Sequence, residues 1–103
     1  MANHAHTVLD ILVNNHPGVM AHVTGLFSRR GFNVEAILCL PVADTATSRI
    51  WLLVNEDGRL DQMMRQMRKL QDVYEVTAKK EHTPVFSRLA SVMNGTPEPE
   101  PTE

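Results

Sequence analysis

The sequence holds a single cysteine, few aromatic residues and no long apolar run. A lone Cys39 cannot form an internal disulfide, and its place inside an apolar stretch suits a small core residue. The longest apolar runs are far too short to cross a bilayer. The first residues, M-A-N-H-A-H, lack a basic n-region and an apolar h-region, so the expected compartment is the cytoplasm. There is no excess of either charge: the net charge is −2 and the pI is about 6.2. That balance gives no global electrostatic reason to expect nucleic acid or an anionic membrane as partner.

Motifs of catalysis are missing too. The chain has no G-x-G-x-x-G, no P-loop and no nucleophile elbow. Cys39 has no histidine near it in sequence, and Asp44 and Asp57 fall in turns, where aspartate is expected anyway. The histidines, His4, His6, His16, His22 and His82, do not have the spacing of a structural zinc site. Neither an enzyme, a resident cofactor nor a metal is expected of this chain.

What is present is a regular alternation of elements within 103 residues, a length that supports one modest core. Residues 1–6 read as a loose start. From Thr7 to Asn14, T-V-L-D-I-L-V-N reads as a strand with Leu9, Ile11 and Val13 on one face. Asn15-His16-Pro17-Gly18 breaks it. Pro17 suits the first helical position, and His16 is the candidate N-cap. A helix follows from Gly18 to Arg30, with Val19, Met20, Val23, Leu26 and Phe27 as its apolar stripe. Gly25 beside that stripe suggests a close approach of helix to sheet. Gly31 is its stop.

Phe32 to Leu40 reads as a second strand, with Val34, Ala36 and Leu38 on one side and Glu35, Ile37 and Cys39 on the other. Ser48 to Val54 reads as a third, close enough for a hairpin. Asn55-Glu56-Asp57-Gly58 signals a turn and a helix start. Helix two runs from Arg59 to Gln71 on Leu60, Met63, Met64, Met67 and Leu70, with Arg59, Arg65, Arg68 and Lys69 giving a solvated basic side. A fourth strand runs from Asp72 to Lys80.

The order is βαββαβ, an α+β, ferredoxin-like sandwich: a four-stranded antiparallel sheet with two helices on one face. The strands carry apolar residues on both faces, and no helix remains for the second. An uncovered face of that kind suggests a partner or self-association. Val85, Phe86, Leu89 and Met93 in the 81–94 extension suit one side of a short helix. The Pro/Glu-rich stretch 95–103 is expected to be disordered.

The stretch around Asn15 and Gly18 carries the best candidate chemistry. A helix N-terminus offers unpaired N–H groups and the positive end of a dipole, a match for a carboxylate. Asn15 and Asn33 each offer a donor and an acceptor, as a zwitterionic ligand requires. The competing reading is local: Asn15 serves the turn and Asn33 the strand entry. The residues alone leave both open.

Read whole, N-H-P-G-V-M-A-H-V-T-G-L-F-S-R-R-G-F-N-V-E resembles the signature of an ACT domain, and in particular that of the regulatory (small) subunits of acetohydroxyacid synthase, also called acetolactate synthase. The likeness continues through A-I-L-C-L-P, S-R-I-W-L-L-V-N and the segment ending D-V-Y-E-V, about residues 7 to 94. It implies an ACT domain over 7–80 and the βαββαβ fold reached above. It also implies a homodimer that binds valine and docks on a large catalytic subunit, raising that subunit's activity and conferring feedback inhibition. Thiamine diphosphate, Mg²⁺ and FAD would belong to the large subunit. The effector-binding positions it implies are Asn15, His16, Pro17, Gly18 and Val19 from one chain and Asn33, Val34 and Glu35 from another, packed sheet edge to sheet edge. Many members carry a second, C-terminal domain; this sequence resembles the short type. An ACT-type amino-acid sensor acting on a different protein is the alternative.

Overall fold

The computed structural model describes residues 6–16 and 18–95. The loose start and the disordered tail expected from sequence fall outside them, apart from His6 and Gly95, and so does Pro17 at the head of the first helix. Strand β1 spans His6–Asn14, helix α1 Val19–Arg29, β2 Val34–Pro41, β3 Thr47–Asn55, α2 Leu60–Arg68, β4 Val73–Ala78 and α3 Thr83–Asn94. A short 3₁₀ turn, Lys80–His82, leads into α3. The sheet order is β2-β3-β1-β4, all neighbours antiparallel, which is the expected ferredoxin-like arrangement.

The period of two places Leu9 opposite Leu52 and Ile11 opposite Ile50, all fully buried under α1 and α2. Val23 and Phe27 from α1 and Met63 and Met67 from α2 close this core. Burying each such side chain contributes about 1.5–3 kcal/mol.

Helix α1 ends where Gly31 takes φ 77. The Gly31 N–H bonds to the Ser28 carbonyl and the Phe32 N–H to the Phe27 carbonyl, a Schellman closure. This keeps Phe32 out of the second strand, which starts two residues later than its apolar run suggests. The Phe32 ring instead meets Phe27 edge-on, with centroids 5.6 Å apart, and lies under the Arg59 guanidinium at 4.4 Å. Helix α2 is shorter than its stripe, ending at Arg68, whose guanidinium donates to the Val76 carbonyl. Gly25 does not admit the sheet: a Cβ there would meet only the tip of the Arg29 side chain, at 3.1 Å.

The expected faces of β2 are corrected by a register shift between Val34 and Ala36. Val34 pairs with Val54 and Cys39 with Ile50, so both pack against the helix-covered core. Ala36 and Leu38 pair with Leu53 and Trp51 on the other face.

That other face is not left without a helix. The chain turns back after β4, with the Lys79 N–H donating to the Val8 carbonyl at 2.7 Å, and α3 lies over Val8, Trp51 and Ala36. Trp51 stacks on His82, with centroids 4.2 Å apart, and Phe86 tilts against the same indole. Val8, whose carbonyl holds the chain at Lys79, is fully buried. Phe86 is the buried residue of α3, whereas Met93 is 83% exposed, so the expected apolar side does not hold to the end of the helix. Beyond Trp51 the face stays open as a groove of about 250 Å³ lined by Leu38, Leu40, Pro41, Val42 and Arg49. Asp10, only 6% exposed beside it, is neutralised by Arg49 at 2.7 Å and Lys79 at 3.8 Å. Among the described residues no helix is long and apolar enough to cross a membrane.

Candidate functional site

The turn between β1 and α1 is held from both sides. On the β4 side, the Asn14 N–H donates to the Asp72 carbonyl at 2.8 Å; on the hairpin side, the Asn15 N–H donates to the Ala46 carbonyl at 2.8 Å. The His16 N–H then folds back to the Asn14 carbonyl at 3.1 Å, and the His16 Nε2 lies 2.6 Å from the Asp72 Oδ2. His16 does not cap the helix, as its place before Pro17 suggests. The N-cap is Gly18, in the left-handed region at φ 88 and ψ −11, and no side chain caps α1.

Two physical facts follow at Gly18. Its φ favours glycine, because a Cβ in that region crowds the following carbonyl. The space in front is open: apart from its chain neighbours, no described residue lies within 4 Å of where a Cβ would stand. Glycine here thus leaves room for a ligand to approach and also satisfies the backbone. The Val19 N–H meets the His16 carbonyl only at a long 3.4 Å, and the first turn of α1 holds no acidic residue. Its N–H groups lack i−4 partners within the helix and point along the positive end of the dipole. Asn15, His16 and Gly18 are exposed, whereas the Val19 side chain is buried in the core and leaves only its backbone to the surface.

At the start of β2, the exposed Asn33 donates through its amide to the Glu35 Oε2 at 2.9 Å. Glu35 itself borders a wide hollow with His6, Lys80 and Phe86. Val34 turns inward against the core. This pair offers a carboxylate and an amide oxygen, acceptors suited to an ammonium group. The first cluster offers donors suited to a carboxylate.

One chain does not bring the two clusters together. Asn14 is level with Thr47, and Val34 with Val54. Seven residues of β3 separate those levels, about 23 Å along the sheet at the usual strand rise. Asn15, His16, Gly18 and Val19 stand at one end; Asn33, Val34 and Glu35 stand at the other. Sequence reading missed Asp72, which lies 58 positions from Asn14 and touches the turn only through the fold. Among the described residues no group of three or more histidine, cysteine or acidic side chains is placed to hold a metal ion.

Residues 9–75 match the family model described as an AHAS small subunit-like ACT domain. The chain is 53% identical over 87 residues to the acetolactate synthase isozyme 1 small subunit of Escherichia coli K12, covering 84% of this chain and 91% of that one. It is 38% identical over 85 residues to the acetolactate synthase small subunit of Mycolicibacterium smegmatis, covering 82% of this chain but only 50% of that longer protein. The crystal structure of the acetolactate synthase small subunit from Thermotoga maritima superposes with a TM-score of 0.64 at 36% identity, over 71% of this chain and 46% of that one. With the ferredoxin-like fold, the glycine-led turn and these matches in hand, the chain belongs to the family of acetolactate synthase small subunits and carries their ACT domain.

Proposed function

We propose that the chain is the regulatory subunit of an acetolactate synthase, binding valine as a feedback signal and acting on a separate large catalytic subunit. The observation that carries this reading is the separation of complementary half-sites. Donors gather around Gly18 at one end of the sheet, and acceptors around Asn33 and Glu35 at the other. A zwitterion needs both.

The β2 edge supports a way to join them. β2 is an outer strand with one side unpaired among the described residues, and its Leu40 is 59% exposed. An exposed edge is a template for another strand. Antiparallel pairing of two β2 edges sets Val34 of one chain toward Pro41 of the second. Pro41 pairs with Ser48, at the same end of the sheet as Asn14. Asn33 and Glu35 of one chain then share an end of the joined sheet with the Asn15–Gly18 turn of its partner. Valine would lie between two chains, its carboxylate toward the α1 N-terminus and its ammonium toward Asn33 and Glu35.

The chemistry on pyruvate, with thiamine diphosphate, Mg²⁺ and FAD, is assigned to the large subunit in the cytoplasm. Valine acts by population shift: it binds one dimer arrangement better and so favours the complex in which the catalytic subunit is less active. Mixing the chain with its cognate large subunit and titrating valine tests the reading. A gain of activity on mixing, followed by loss of activity with valine, is expected. A catalytic subunit whose rate and valine response do not change on mixing would overturn it.

A further inference from the structure

We propose that Asp72 is a positioning residue for the effector turn, acting through His16; this deepens the valine-binding reading and rests on it. Asp72 follows α2 and leads into β4. Strand β4 pairs with β1 through a register shift, Leu12 opposite Glu75 but Val13 opposite Val73. The extra residue on β4 brings Asp72 level with Asn14. There its carbonyl accepts the Asn14 N–H at 2.8 Å, its Oδ1 receives the Asn14 amide at 3.4 Å and its Oδ2 lies 2.6 Å from the His16 Nε2. The carboxylate is only 21% exposed, against 42% for the imidazole. The short contact is the strong one, because a hydrogen bond to an ionised oxygen gains most where water is partly excluded.

The consequence reaches α1 through the backbone. The His16 carbonyl is the partner of the Val19 N–H, so fixing the imidazole fixes the path into left-handed Gly18. The direction of the first helical N–H groups is thereby set before a ligand arrives, which lowers the ordering cost of binding. Asp72 reaches valine only by way of the turn; it is not a contact residue.

The test is a double-mutant cycle in the complex with the cognate large subunit, read as the valine concentration for half inhibition. Asp72→Ala is expected to raise it about tenfold. Asp72→Asn keeps an acceptor oxygen in place and is expected to return it to within about threefold of wild type. His16→Ala with Asp72→Ala is expected to be no worse than the weaker-binding single variant, because the two act as one unit. Should Asp72→Ala fail to fold, Asp72→Ser, too short to reach His16, closes the cycle. Wild-type half inhibition in Asp72→Ala or Asp72→Ser, or additive losses in the double variant, overturns the proposal while leaving valine regulation standing. A wild-type complex that valine does not inhibit overturns the function itself, and this inference with it.

Discussion

At the start of α2 the Asp57 carboxylate accepts the Arg59 N–H at 2.8 Å, and Asp61 adds a second acid in the first turn. No side chain caps either helix, but at the start of α1 there is also no acid, only Gly18 at φ 88 with open space before it. Both helices have the same positive dipole end and the same orphan donors. One chain end supplies its own anion; the other is left wanting one. A helix that needs only to stand takes the first solution, at a gain typical of N-terminal acids. The second solution sacrifices that gain and leaves the donors open to a ligand from outside, valine in the function proposed above.

Giving α1 the acid that α2 already has breaks the contrast with the largest effect. In Gly18→Asp a side-chain carboxylate stands where the ligand carboxylate would. Like charges so placed cost several kcal/mol, so valine affinity is expected to fall about a hundredfold or more. Valine titration of the reconstituted complex measures it, and a retained response would remove the α1 N-terminus from the site. Gly18→Ala separates charge from strain. Apart from its chain neighbours, no described residue lies within 4 Å of the new Cβ, so its cost is the left-handed backbone, about 1–2 kcal/mol of stability. Denaturant unfolding checks that figure; a value near zero would mean that the turn relaxes out of φ 88. At the acceptor end, Asn33→Ala removes one neutral hydrogen-bonding group and is expected to weaken valine binding about fivefold to tenfold. Unchanged affinity in calorimetry would exclude Asn33.

The fold was open to reading because its signals are local. Leu9, Ile11 and Val13 alternate, and Leu60, Met63, Met64 and Met67 recur at helical spacing, and each set lies on the core side of its element. Gly31 stops α1 as its residue type suggests. What was not legible depends on the whole chain. The register shift after Val34, which sends Val34 and Cys39 to the same side, is set by pairing with β3. The return of α3 onto Trp51 depends on a contact between distant segments, and no short pattern announces it. The site divides the same way. The Gly18 turn shows in four consecutive residues, Asn15 to Gly18, whereas Asp72 reaches it from 56 positions beyond His16. The split between the Gly18 and Asn33 ends follows from the antiparallel register.

The smallest expected effect concerns α2, and it sharpens the contrast from the other side. The hydrogen bond from the Arg59 side chain, helped by the Arg59 N–H, holds the Asp57 carboxyl below its ordinary value of 3.8. Asp57 is exposed, so water screens much of the gain. A carboxyl depressed in the folded state stabilises when ionised: the gain is complete above the unfolded value and is lost as pH falls through the folded one. Asp57→Asn keeps an oxygen for the Arg59 N–H but gives up the ion pair at 3.1 Å. A slight loss of Tm at neutral pH is expected, shrinking toward zero as the pH is taken below 3.8. Thermal unfolding of both proteins across that range measures it, and a gap that persists unchanged in acid would show that the charge of Asp57 contributes nothing. The valine response of the variant should match wild type throughout, because the anion at α2 belongs to the chain, while the proposed ligand sits at α1.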